Sequence, residues 1–169
     1  IGEGNFLINT NYLAPNNRIC IVNIATPTQE NWTDFIPEKD YVLRGVSIAG
    51  DKMIASYMKN VQSKLEVYDK TAKYLYDIEL PGIGIAGFSG DKKENTAFFS
   101  YTSYTTPTEI YQYDIETNST TNFFKPKTAF DNANYITEQV FYPSKDGTQI
   151  PMFVTHKKGL KLDGTNPNF

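Results

Sequence analysis

Cysteine, histidine and tryptophan each occur once in the 169 residues, as Cys20, His156 and Trp32. One cysteine excludes an internal disulfide and a cysteine metal cluster. With a single histidine, a zinc site would need carboxylates from distant positions, and no ligand spacing points to one. No apolar run approaches the ~20 residues a membrane-spanning helix requires. The net charge is −3, so the basic face of a general nucleic-acid binder is missing. No stretch of about 11 residues or more holds a 3.6-residue apolar period, which removes long amphipathic helices. The opening Ile1-Gly2-Glu3-Gly4 has no Met and no signal-peptide pattern, as expected of a processed chain or a piece of a longer one. The expectation is a protein that is not transmembrane and has no cofactor; its compartment is left open between cytoplasmic and periplasmic.

What is present is aromatic and β-prone. Twelve Tyr and eleven Phe lie among many Thr and Asn, residues that suit a pleated, half-buried surface. Apolar residues at 40% and charged residues at 21% indicate a globular chain. Strands are predicted at Phe6–Thr10, Arg18–Ile24, Trp32–Ile36, Val42–Ile48, Met53–Met58, Lys64–Asp69 and Tyr74–Leu80. A second run follows at Ile85–Ser89, Ala97–Tyr101, Glu109–Ile115 and Thr121–Lys125. Near the C-terminus, Glu138–Tyr142 and Ile150–Thr155 flank Ser144-Lys145-Asp146-Gly147-Thr148, a turn in which Gly147 can take a positive φ. A basic arm follows from Lys157 to Gly164, and a further strand is expected to begin at Phe169.

The strands repeat. Val22-Asn23, Tyr68-Asp69 and Tyr113-Asp114 each end an alternating strand, at spacings of 46 and 45 positions. Leu7-Ile8, Ile54-Ala55 and Phe99-Ser100 recur in the strand before. Gly50-Asp51-Lys52 and Gly90-Asp91-Lys92 mark one turn in two successive units. Units of about 40–50 residues with four strands are the sign of β-propeller blades, although any all-β sandwich also places strands at short, regular spacing. The expectation is an all-β chain with about three antiparallel four-stranded blades, the first lacking its outer or inner strand. Closed propellers use about four to eight blades, so three form an arc with open edges. Asn132-Ala133-Asn134-Tyr135 reads as the linker out of the repeat.

The residues offer little chemistry. Ser47, in Gly45-Val46-Ser47-Ile48-Ala49, sits inside a strand rather than on a strand-to-helix elbow, and Ser89 in Gly87-Phe88-Ser89-Gly90 fails likewise. His156 reads as a solvated strand-end residue beside Lys157 and Lys158, and Cys20 as buried packing. Asp69 and Asp114 read as turn caps through backbone N–H groups, and Asp114 with Glu116 as solvated carboxylates. Asn31-Trp32-Thr33 and Asn118-Ser119-Thr120 match a glycosylation pattern that matters only on a secretory route. The aromatics read as packing between blades, since no basic groove accompanies them. From residue chemistry alone the chain is a non-catalytic repeat module.

Gln139 through Thr148, then Ile150-Pro151-Met152-Phe153, His156-Lys157-Lys158-Gly159, Leu162-Asp163-Gly164 and Asn166-Pro167 resemble the prolyl oligopeptidase family where its propeller passes into its peptidase domain. Upstream, Tyr57-Met58-Lys59, Leu80-Pro81-Gly82, Gly87-Phe88-Ser89-Gly90 and Lys125-Pro126-Lys127 look like late blades of the family's seven-bladed propeller. Oligopeptidase B and the dipeptidyl peptidases share that architecture, but the arm from Lys157 to Gly164 favours the prolyl oligopeptidase branch. The resemblance implies a partial β-propeller over residues 1–133. Residues 134–169 would hold a linker and the first strands of an α/β-hydrolase domain. It also implies a parent serine peptidase that cleaves short peptides after proline, its propeller gating access. The family's Ser-Asp-His triad matches no residue here, so no catalytic, cofactor-binding or metal-binding residue is assigned, and this chain is expected to be inactive. The partners expected are short proline-containing peptides for the parent, and the rest of the propeller and hydrolase domain. No nucleic acid or membrane partner is expected. The hairpin is expected to pack on the arc, to be mobile, or to self-associate through open edges. A stand-alone propeller-like interaction module is the alternative.

Overall fold

The computed structural model describes residue 2 and residues 4–167. The strand expected at Phe169 lies outside the described residues. Strands β1 (Asn5–Thr10), β2 (Arg18–Asn23) and β3 (Thr33–Ile36) form one antiparallel sheet. A second holds β4 (Val42–Ala49), β5 (Lys52–Lys59), β6 (Gln62–Tyr68) and β7 (Tyr74–Ile78) in chain order. A third repeats that meander with β8 (Ile85–Ser89), β9 (Thr96–Thr102), β10 (Glu109–Asp114) and β11 (Ser119–Phe124). The hairpin β12 (Tyr135–Pro143) and β13 (Gln149–Lys157) forms a two-stranded sheet of its own. The only helical segments among the described residues are 3-10 turns at Gln29–Asn31 and Asn132–Asn134.

The middle sheet is covered on both faces, and side chains of both bury against a neighbouring sheet. Successive side chains of a strand point to opposite faces. On β5, Met53, Ala55 and Tyr57 therefore meet Ile19 and Ile36 of the first sheet. Ile54, with Leu65 and Val67 of β6, meets Phe99, Tyr101 and Tyr113 of the third. Each such aliphatic or aromatic side chain contributes about 1.5–3 kcal/mol when fully buried. Aromatic rings thus pack between blades: Tyr113 of the third sheet donates its hydroxyl to Tyr76 of the second at 3.4 Å.

The repeated polar positions share one local structure. Asp69 Oδ1 accepts from the backbone N–H groups of Thr71 (2.8 Å) and Lys73 (3.1 Å). Asp114 Oδ1 accepts from those of Glu116 (3.0 Å) and Thr117 (2.8 Å). Asn23 Oδ1 accepts from Ala25 N at 2.9 Å. These side chains close the same turn in each unit, as their spacing anticipates. The two Gly-Asp-Lys turns also touch: Gly50 N donates to Asp91 O at 3.0 Å.

The first sheet, with three described strands, has no counterpart of β4 and β8. Its β1, β2 and β3 match β5, β6 and β7 in order. Two expectations need correction. Trp32 lies outside β3, because it closes the 3-10 turn by donating its N–H to Gln29 O at 3.2 Å. His156 is not solvated: its side chain is 13% exposed and lies within β13. Its ring occupies the hairpin face that also carries Ile136 and Val154.

Candidate functional site

Antiparallel order sends the connections alternately to two ends of the arc. One end carries the Asx turns and the Gly-Asp-Lys turns. The other carries residues 37–41, the β5–β6 turn at Asn60-Val61, residues 79–84 and residues 103–108. The hairpin β12–β13 lies against this second end.

Nine paired positions, from Tyr135↔Lys157 to Pro143↔Gln149, define the hairpin register. Its turn has the predicted form: Gly147 has φ 85°, and Asp146 Oδ1 accepts from Thr148 N at 3.0 Å. Hydrogen bonds from the Ser144 hydroxyl and the Thr148 backbone hold the Asp146 carboxyl down at about 2. One face carries Thr137, Gln139, Thr155 and Phe153 and meets the arc. Gln139 Nε2 donates to Asn60 O at 2.6 Å, and Gln62 Nε2 donates to Gln139 Oε1 at 3.1 Å. The Phe153 and Tyr104 rings lie 5.3 Å apart, so Phe153 finds its cover on the β9–β10 loop. Asn132 Nδ2 donates to Thr106 Oγ1 at 3.3 Å, tying the linker to the same loop. The opposite face leaves Ile136, Val140, Tyr142 and Met152 exposed, while Phe141, on the same face as Gln139, is 47% exposed.

Inward from this end lies a polar cluster that the sequence reading did not single out. Glu66 of β6 is 1% exposed. Its carboxylate accepts from Lys64 Nζ (2.6 Å), Tyr41 Oη (2.5 Å), Tyr68 Oη (2.5 Å) and Lys39 Nζ. Burial alone would raise this carboxyl, but the four donors outweigh it and hold it at about 2. Lys39 also lies over the rings of Tyr41, Tyr57, Tyr68 and Tyr74, 5.3–5.8 Å from their centroids. Burial and the bond to Glu66 push the Tyr68 and Tyr41 phenols up, so both remain neutral donors. Beside the cluster a cavity of about 540 Å³ opens between Asn16, Tyr41, Lys59 and Val61. A smaller counterpart sits in the third sheet. Glu109, 3% exposed, accepts from Tyr111 Oη (2.5 Å) and Asn122 Nδ2 (3.2 Å) and pairs with Lys125 at 3.3 Å. The signal was Glu-x-Tyr: Glu66-Val67-Tyr68 and Glu109-Ile110-Tyr111 each place acid and phenol on one strand face.

The candidate nucleophiles and base are not brought together. Ser47 lies inside β4 and aims Oγ at Phe88 O, 3.5 Å away. Cys20 is fully buried, and burial pushes its thiol up, the reverse of activation. His156 Nδ1 lies 2.9 Å from Lys157 O, and Nε2 lies 3.8 Å from Glu138 Oε2. No hydrogen bond links it to a serine or cysteine among the described residues. The site is thus a junction: a hairpin fastened over one end of a blade arc, above a buried ionic cluster.

Comparison with known proteins agrees with this geometry. The family model described as prolyl oligopeptidase, N-terminal beta-propeller domain, matches residues 2–126. A prolyl endopeptidase of Elizabethkingia miricola is 44% identical over 161 residues, covering 95% of this chain and 23% of its own. One from Dictyostelium discoideum is 36% identical over 175 residues, covering 97% and 23%. Among solved structures, one from a structural and mechanistic study of two prolyl endopeptidases superposes with a TM-score of 0.85. It is 34% identical and covers 95% of this chain and 24% of that one. Apo prolyl oligopeptidase B from Galerina marginata gives a TM-score of 0.84 at 29% identity, covering 98% and 24%. The chain spans less than a quarter of the length of these relatives. Blade-like sheets that stack without closing, joined to a hairpin at one end, are what such a share of a propeller looks like, and the chain belongs to the prolyl oligopeptidase family.

Proposed function

We propose that the whole protein is a serine-type endopeptidase that hydrolyses short peptides after proline, and that its propeller gates their access. The observation that carries this is the 44% identity, over 95% of the chain, to a protein named prolyl endopeptidase. Residues 1–133 are the partial propeller, and residues 134–169 are the linker and first strands of the peptidase domain. That division is supported by a family match that ends at residue 126, a third sheet that ends at Phe124, and a hairpin that opens at Tyr135. Its partners are short proline-containing peptides and the remainder of the propeller and peptidase domain. No helix among the described residues is long and apolar enough to cross a membrane.

The 169 residues do not themselves hydrolyse peptides. Acyl transfer needs an activated nucleophile and oxyanion donors held together, and Ser47, Cys20 and His156 do not make that arrangement. The full-length protein should release the chromophore from a prolyl anilide, and a serine-directed phosphonate should abolish this. The 169-residue chain should release none at the same molar concentration. Absence of turnover by the full-length protein, or phosphonate-sensitive turnover by the 169-residue chain, overturns the reading.

A further inference from the structure

We infer that Gln139 is a clasp holding the hairpin β12–β13 to the propeller, and that the strained turn Asn60-Val61 is what it grips. Both ends of one side-chain amide are used on one turn. Gln139 donates to Asn60 O at 2.6 Å and accepts from Gln62 Nε2 at 3.1 Å, across 79 and 77 residues of chain. Among the described residues, these are the hydrogen bonds from hairpin side chains to the blade sheets.

The turn supplies a second, independent observation. It joins β5 to β6 across the pair Lys59↔Gln62, with Asn60 at φ 49° and Val61 at φ 64°. Such tight turns favour glycine in the second position, and a β-branched residue with positive φ is a conformational outlier. Val61 gains little burial in exchange, being 55% exposed. A strained, exposed turn that presents its carbonyl to a distant element has the character of a functional device. The clasp is neutral and consists of two hydrogen bonds, so it can open and reclose. It sits between the two parts whose separation would admit a peptide. This last step rests on the proposed function and deepens it: Gln139 is a positioning residue for access, not a catalytic one.

The test uses the full-length protein and hydrogen exchange. Gln139→Ala should speed amide exchange in residues 135–143 about tenfold, as expected for the loss of two net hydrogen bonds. Exchange in the β5–β6 ladder should be unchanged. Gln139→Glu, which keeps the acceptor for Gln62 but loses the donor to Asn60 O, should speed exchange by less than Gln139→Ala does. Val61→Gly keeps both bonds and should leave hairpin exchange as it was. Wild-type exchange in both Gln139 variants, or equal acceleration by Val61→Gly, overturns the clasp. In turnover, Gln139→Ala should raise kcat/KM for a long proline peptide relative to a short one, with kcat for the short one unchanged. An unchanged ratio despite faster exchange overturns the gating role. A wild-type protein without prolyl turnover would refute the proposed function, while the exchange comparison would still judge the clasp.

Discussion

Glu66 shows how one residue can set the pH dependence of a β-sheet protein. Its carboxyl is held at about 2 in the fold against an ordinary value of 4.5. A depressed carboxylate contributes stability above its unfolded value and loses it as pH falls through the folded one. The difference corresponds to about 3 kcal/mol for this fully covered group. Urea denaturation at a series of pH values should therefore show stability falling as pH drops from 4.5 toward about 2. Glu66→Gln should flatten that acid limb and cost about 3 kcal/mol at neutral pH, because Lys39 and Lys64 lose their shared partner. Tyr68→Phe removes one donor and should cost about 1 kcal/mol. An acid limb in Glu66→Gln as steep as that of the wild type would show that other carboxylates carry it.

Two glycines separate the ways in which strands depend on small residues. At Gly90, just after β8, an added Cβ would meet Ala49 Cβ at 2.6 Å and Ile48 O at 3.1 Å. Those atoms belong to β4 of the neighbouring sheet, so Gly90→Ala must push two blades apart, at about 1–3 kcal/mol. At Gly147 an added Cβ meets nothing within 4 Å, but φ is 85°. Gly147→Ala should cost only the backbone term, about 1 kcal/mol. Denaturation with two probes tells them apart. Near-ultraviolet signals from the aromatic core between the second and third sheets should weaken in the Gly90 variant and persist in the Gly147 variant. Equal loss of that signal in both would contradict the argument.

The arc as a whole has unfinished surfaces. Leu13 and Ile24 of the first sheet's loops are 78% and 68% exposed, and Phe123 and Phe124 on β11 are 64% and 54% exposed. Every residue of β11 is exposed, and it is the edge strand of its sheet. Open edges and apolar patches of this kind pair with other chains. Sedimentation velocity of the 169-residue chain should therefore show heavier species growing with concentration. A monodisperse monomer at high concentration would mean that these surfaces are not adhesive.

Most of the strands were legible in the residues, because a period of two and turn chemistry act over a few positions. Ile85–Ser89 falls where alternation and flanking glycines put it, and the Asn23, Asp69 and Asp114 turns follow from short polar side chains that reach their own backbone. Local rules also revealed the repeat, and the dense run from Gln139 to Gly164 revealed the family. They did not reveal Glu66 as the centre of a buried cluster, since Lys39 and Tyr41 reach it from 27 and 25 residues away. Nor did they show His156 covered, Trp32 excluded from its strand, or Gln139 gripping a turn 79 residues back. Element type depends on neighbours along the chain. Burial, charge pairing and the seating of the hairpin depend on which surfaces meet when the sheets stack, and that is settled only in three dimensions.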